Sequence, residues 1–405
     1  MQQRSIVRLG VPVAVAALAL SACGSRDAGT STTSGGSSTK TVKIALIAPL
    51  SGGLSALGLG MLHSVELAAK KANDANTIPG WKIEVQGLDD EGKADPGKNA
   101  ATKVAGDDSV IGIVGTLNSS VAQQTQPILN AAKIAQVSPA NTGPALTIGP
   151  DSANPKRQYA NYFRTCTTDA VQGPFAAQYL LSQGITKVAT IHDKKTYGQG
   201  LVENFTAEFK KGGGQIVTAE TIGENDKDFS GVITKIKPLG PSAIYYGGEY
   251  PQAGPLSQQA KAQGLNIPLM GGDGIVDPEY VKLAGATAAG DLATSVGAPT
   301  EATEAGKAFL ADYAKQNYKE PSAAYGAYAY DAANAIINAM KVSFKDAKDV
   351  KSAREATITE IGKVSFDGVT GKVAFDKYGD AVTKILTVYK VDKGAFAPAK
   401  TDTFK

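Results

Sequence analysis

From Lys43 onward, the positions of apolar and polar residues switch repeatedly between a period of two and a period of 3.6. The run "KIALIAPL" (43–50) predicts a buried strand, and "SVELAAKKANDAN" (64–76) places Val65, Ala68, Ala69 and Ala72 on one helical stripe. "WKIEVQGLDD" predicts the next strand. Asp95-Pro96 then predicts a helix start, with Asp95 as the N-cap and Pro96 in the first position. "VIGIVG" predicts a strand, 121–132 a helix and "KIAQVSPA" a strand. A second series follows Arg164. Strands are expected at "TKVATIHD", "GQIVTAETI", "PSAIYYGG" and "IPLMGGDG". One intervening helix shows Leu201, Val202, Phe205 and Phe209 on a face, another Phe229, Val232, Ile233 and Ile236, and "PLSQQAKAQG" ends on Gly264 as its C-cap. Alternation of this kind predicts an α/β architecture of parallel sheets with helices on both faces. Two successive series predict two parts of similar build, although the residues themselves do not repeat.

The chemistry falls at the strand ends. In open parallel sheets, ligands bind beyond the carboxyl ends of the strands, where loops and helix N-termini converge. Five such ends carry small or polar residues: "PLSGGLSALG", "GTLNSS" and "SPANTGPAL" in the first series, "YYGGEYP" and "MGGDG" in the second. That division predicts a ligand held between the two parts. Ser119 and Ser120 precede the helix expected over 121–132, where unpaired N–H groups and the positive dipole end suit a carboxylate. Ser120 can cap that helix, and Ser119 is expected to touch the ligand. Ala140, Asn141 and Thr142 lie in a turn stiffened by Pro139, Gly143 and Pro144, which offers backbone groups and a hydroxyl to the same cleft. Glu249 and Asp273 follow glycines after second-series strands, and a buried carboxylate there needs a partner such as an ammonium. Both are also compatible with a solvated loop charge.

Composition narrows the function classes. With 42% hydrophobic and 20% charged residues over 405 positions, the chain is long enough for two cores and is not a disordered polypeptide. A formal charge of +3, falling to +1 without Arg4 and Arg8, supplies no field for a polyanion, so nucleic acid is not expected as a partner. The histidines, His63 and His192, lack a neighbouring ligand at metal spacing, so no metal or other cofactor is expected. Catalysis is not expected either: a hydrolase built on Ser119 would need a base beside it, and "GTLNSS" lacks the G-x-S-x-G elbow.

The first residues are read as an address. "MQQRSIVR", then "VPVAVAALAL", then "LSAC" is the charged, apolar, small-residue order of a secretory signal, and the apolar run is shorter than the roughly 20 residues needed to span a bilayer. Leu20-Ser21-Ala22-Cys23 resembles the lipobox of bacterial lipoproteins. It implies a signal peptide over 1–22, a lipidated Cys23 and localisation on the extracytoplasmic face of the cell membrane. The Gly/Ser/Thr-rich 23–40 reads as a tether. Cys166 is then left without a partner for an intrachain disulfide.

The stretches "APLSG", "DDEGKADP", "GTLNSS", "VSPANTGPAL", "VQGPFAAQYLL", "IHDKKTYGQG", "KDFSGVITKIK", "YYGGEYP" and "LMGGDG", in this order, resemble the branched-chain amino-acid-binding proteins that feed ABC transporters. The resemblance implies the type I periplasmic-binding-protein fold, with two Rossmann-like lobes joined by a three-strand hinge. Lobe one is expected over 41–163 plus 294–383, and lobe two over 164–293 plus 384–405. By the same resemblance, Ser119 takes the ligand carboxylate, and Ala140 with Thr142 holds carboxylate and ammonium. Tyr197 lines the cleft, Asp273 takes the ammonium, and Tyr325 forms the side-chain wall. Two positions depart from the leucine/isoleucine/valine receptors: Glu249 stands where a tyrosine is expected and Leu57 where an aromatic covers the ligand. The family's disulfide near "DDEGKADP" and "TLNSS" is absent. Glu249 leaves an amide, urea-like or basic ligand open beside a branched-chain amino acid, and the shared fold leaves a ligand-sensing subunit open beside a transport receptor. The partners implied are an amino acid, a permease with its ATPases, and the membrane through Cys23; the chain is expected to be monomeric.

Overall fold

The computed structural model describes residues 39–404. The expected signal, lipobox and nearly all of the tether lie outside them. Among the described residues, no helix is long and apolar enough to cross a membrane.

Two sheets organise the chain. The first is built from β1 (Lys40–Ala48), β2 (Trp81–Asp89), β3 (Val110–Gly115), β4 (Ala135–Ser138) and β5 (Tyr162–Arg164), in the spatial order β2-β1-β3-β4-β5. Every neighbour in it is parallel. β1 shows why the run from 43 reads as continuously apolar. Val42, Ile44 and Leu46 join one buried cluster with the helix Ser55–Asp74, while Ala45 and Ile47 join another with the helices 94–105 and 119–131. Alternate side chains thus leave opposite faces, and both faces are covered.

The second sheet takes β6 (Lys187–His192), β7 (Gln215–Thr221), β8 (Ala243–Gly247), β9 (Leu269–Gly271) and β10 (Leu292–Ser295). A small hairpin of β11 (Ser365–Gly368) and β12 (Gly371–Ala374) stands apart from it, and β13 (Ile385–Asp392) and β14 (Ala395–Thr403) complete the order β14-β13-β10-β9-β8-β6-β7. β8 repeats the logic of β1. Ala243 and Tyr245 pack with Leu201, Phe205 and Phe209 on one face, and Ile244 and Tyr246 pack with Ala253 and Leu256 on the other.

The second sheet is not wholly parallel, because β13 runs antiparallel to both β10 and β14. β13 and β14 are joined by only Lys393 and Gly394, with φ of 48° and 80°. A two-residue turn with both residues at positive φ can only return the chain alongside itself.

Helix boundaries also shift. The helix expected from Asp95 begins at Ala94 with Lys93 in the cap position, so Asp95 lies in the first turn, where its charge meets the helix dipole. The helix expected over 121–132 is Ser119–Ala131, with Asn118 in the cap position, so neither Ser119 nor Ser120 caps it. Gly264, at φ +79°, ends the helix Tyr250–Ala262 as its left-handed residue.

Candidate functional site

The turn before Ser119 depends on Gly115. It holds φ +134°, and a Cβ there would lie 2.2 Å from the Ile47 carbonyl oxygen. That close approach of β3 to β1 lets the chain turn out of the sheet and start a helix directly at Ser119. Ser119 is 1% exposed, and its Oγ accepts the Gly143 N–H at 3.3 Å, which leaves its proton and a lone pair free. The unpaired N–H groups of the first helical turn stand beside it.

The 140–143 turn is fixed from beneath. The Ser138 hydroxyl accepts from the Asn141 and Ala140 N–H groups at 2.8 and 3.2 Å. Fully buried Arg164 donates to the carbonyls of Asn141 and Gly143 at 2.7 and 3.0 Å, to Thr147 Oγ1 at 2.6 Å and to Asp380 at 2.6 Å. Asn141 therefore differs from the expectation. Its carbonyl is taken by Arg164, and its side chain is spent on Leu117 O and the Tyr162 hydroxyl, so it shapes the turn and does not offer its carbonyl to the cleft. The Thr142 carbonyl accepts the Asp169 N–H at 2.9 Å. Its hydroxyl sits beside the Asp169 carboxyl without closing a hydrogen bond, and it has no partner among the described residues.

Opposite this turn stands Asp273, 2% exposed, in the short turn after β9. Its Oδ1 accepts from Tyr197 Oη at 2.8 Å and Gln172 Nε2 at 2.9 Å, and its Oδ2 accepts from Tyr325 Oη at 2.8 Å. Tyr197 also accepts the Gly274 N–H at 3.1 Å, so it pins both backbone and carboxylate. Burial pushes the Asp273 carboxyl above the usual range, against the pull of these donors. An acid held this way is stabilised by an incoming cation, because a carboxylate can accept about four hydrogen bonds and three are in place.

Three further residues escape a linear reading. Asp169 is fully buried, with its carboxyl pushed up to about 8 by burial and then by the charge of Asp273. Its Oδ2 lacks a partner among the described residues. Gln172 bridges the two acids, donating to Asp169 Oδ1 at 3.2 Å as well as to Asp273, and it is itself held by the Thr294 hydroxyl at 2.8 Å. Asp169 and Gln172 sit three apart on the first turn of a helix, which is the only signal the sequence held. The third is Asn118, which donates to Glu249 Oε1 at 2.6 Å.

The structure thus holds Ala140, Asn141 and Thr142 in one turn through Ser138 and Arg164, brings Ser119 to that turn through the Gly143 N–H, and joins Tyr197, Asp273 and Tyr325 by direct hydrogen bonds. Leu57 is buried in the same apolar cluster as Leu54, Leu117, Ala140 and Tyr325. Glu249 is 3% exposed, so it is not a solvated loop charge. Both histidines are engaged elsewhere: His63 stacks on Tyr318 at 4.3 Å, and His192 Nδ1 accepts the Lys194 N–H. Neither makes a hydrogen bond to Ser119.

Two α/β sheets, with hydroxyls and a helix N-terminus at the strand ends of one and buried carboxylates at the strand ends of the other, have the build of a solute-binding protein. The chain belongs to the Periplasmic binding protein family, whose profile matches residues 41–395. It is 32% identical over 355 residues to Leu/Ile/Val-binding protein homolog 3 of Brucella melitensis, covering 87% of this chain and 92% of that one. It is 31% identical over 361 residues to Leu/Ile/Val-binding protein BraC3 of Rhizobium johnstonii, covering 89% and 94%. Among solved structures, the leucine-binding protein LivK of Thermotoga maritima superposes with a TM-score of 0.80 at 28% identity, covering 89% of this chain and 99% of that one. The branched-chain amino acid transporter substrate-binding protein LivJ of Streptococcus pneumoniae, in complex with isoleucine, superposes at 0.79 and 28%, covering 90% and 99%.

Proposed function

We propose that this protein is the extracytoplasmic receptor of an ABC importer and captures a branched-chain amino acid between two lobes. Lobe one comprises 41–163 plus 294–383, and lobe two comprises 164–293 plus 384–405. The observation that carries the proposal is the opposition of Ser119 and Thr142 to Asp273 and Asp169. Ser119, the helix N-terminus behind it and the 140–142 turn would take the carboxylate, and the two acids would take the ammonium. Leu57, Leu54 and the Tyr325 ring give an apolar wall suited to an aliphatic side chain. The names of the relatives point to the same class of ligand.

Because the two charges of the ligand bind groups from different sheets, only the closed state satisfies both. Ligand binding therefore shifts the population toward the form that a permease with its ATPases would recognise. Lipidation at Cys23 would keep this receptor at the outer face of the membrane. The test is calorimetric titration of the chain from Thr39 onward, a single compact unit, against leucine, isoleucine, valine, arginine and glutamine. Saturable heats from the first three, lost in Ser119→Ala and Asp273→Ala, support the proposal; heat only from arginine or glutamine reassigns the ligand. Membrane retention lost in Cys23→Ala tests the anchor.

A further inference from the structure

We propose that Asn118 and Glu249 form a latch across the cleft, so that Glu249 serves closure of the site and not recognition of the ligand side chain. The proposal rests on the closing cleft described above. Asn118 leaves β3 and Glu249 leaves β8, so the 2.6 Å hydrogen bond from Asn118 Nδ2 to Glu249 Oε1 joins loops of the two sheets, 131 residues apart in sequence.

The local chemistry shows where Asn118 is committed. Asparagine in the cap position of a helix ordinarily bonds a first-turn N–H, yet Asn118 makes no side-chain cap bond. Its amide is directed at Glu249. The other Glu249 oxygen faces Lys195 Nζ at 3.4 Å, and Lys195 also reaches Glu224 at 3.4 Å. Burial disfavours the Lys195 ammonium, but the charges of Glu249, Asp193 and Glu224 outweigh it. Glu249 thus meets a donor from the protein on each oxygen. A basic or amide ligand would have to displace Asn118 or Lys195 to use it, which weakens the case the sequence made for such ligands.

The next residue crosses as well: Tyr250 Oη donates to the Gly53 carbonyl at 2.5 Å, and Pro251 packs within reach of Gly53. Outside this pair lies an open recess lined by Leu54, Gly92, Lys93, Lys195 and Glu224, with Glu249 on its wall. Glu249 therefore stands where that recess meets the buried side of the pair, at the rim that closure would seal from water. A charge-assisted bond of this kind is strengthened by that burial.

The test compares leucine affinity, leucine dissociation rate and small-angle scattering in the wild type, Asn118→Ala, Glu249→Ala, Glu249→Gln and the double alanine variant, with thermal unfolding to confirm that each folds. The expected result is a roughly ten- to hundredfold weaker leucine affinity in each single alanine variant, carried mainly by faster dissociation. Glu249→Gln, whose amide oxygen still accepts from Asn118, stays within a few-fold of wild type. The double variant loses no more than the worse single. The latch is overturned if the two losses multiply, or if Glu249→Ala leaves leucine binding intact. A wild type that binds no amino acid sinks the proposed function alone. The latch is then judged by scattering of the ligand-free proteins: a larger radius of gyration in the alanine variants supports it, and an unchanged one overturns it.

Discussion

Tyr325, at the start of the helix Gly326–Ser343, donates its hydroxyl to Asp273 Oδ2 at 2.8 Å, 52 residues away in sequence and in the turn after β9. This bond ties the ring proposed to line the site to the acid proposed to take the ligand ammonium. Removing Asp273 by Asp273→Ala should cost about 2–5 kcal/mol of ligand binding free energy, because the ammonium would be buried with half its counter-charge gone. Calorimetry with leucine measures this directly; affinity within a few-fold of wild type would show that the ammonium lies elsewhere.

The two tyrosines on Asp273 should separate in their effects. Tyr325→Phe removes one donor from a carboxylate that keeps two others, and is expected to weaken ligand binding by about tenfold with little change in stability. Tyr197→Phe also strands the buried Gly274 N–H, so it should lower unfolding free energy by a further 1–3 kcal/mol or so. Denaturant unfolding of both variants without ligand distinguishes them.

Proton uptake supplies a third prediction. The Asp169 carboxyl, ordinarily at 3.8, is pushed up to about 8 by burial and by Asp273, and the Asp193 carboxyl is pushed up to about 8 by burial and by Glu249. A raised acid is favoured neutral in the folded state. Its penalty is absent below the unfolded value and complete above the folded one, so ligand-free stability should fall as pH rises from about 4 to about 8. At pH 7 the ammonium of a bound amino acid favours ionised Asp169, and binding should release a fraction of a proton. Calorimetry in two buffers of different ionisation enthalpy reads that release, and it should vanish in Asp169→Asn.

Arg164 is the structural counterpart of these acids. Fully buried, it joins Asp380 to the carbonyls under the 140–143 turn. Arg164→Met leaves those acceptors unpaired and should destabilise the protein by about 3–5 kcal/mol. Thermal unfolding checks this, and a loss below 1 kcal/mol would show that the turn holds itself.

Most strand positions within each series were legible because β1, β3 and β8 are buried on both faces and read as unbroken apolar runs. The helix stripe Leu201, Phe205 and Phe209 was legible for the matching reason, a period of 3.6 facing one core. Val232, expected on such a stripe, is only half-buried, since a seven-residue helix buries little more than one row. The cap of the helix at 119 was misplaced because Asn118 fits the role chemically and its true partner lies far along the chain. Asp169 and Gln172 looked like ordinary polar residues at a helix start; only their approach to Asp273 gives them meaning.

By itself, the sequence determined the α/β alternation, the loops where chemistry gathers and the candidacy of Ser119, Thr142 and Asp273, because periodicity, turn residues and helix termini are local properties of the chain. Only the tertiary structure decided that Asn118 meets Glu249, that Tyr325 and Tyr197 share Asp273, and that Arg164 underlies the 140–143 turn. Each of those bonds joins residues that no local rule relates, and each depends on packing that brings separate elements of the chain within 3 Å or so.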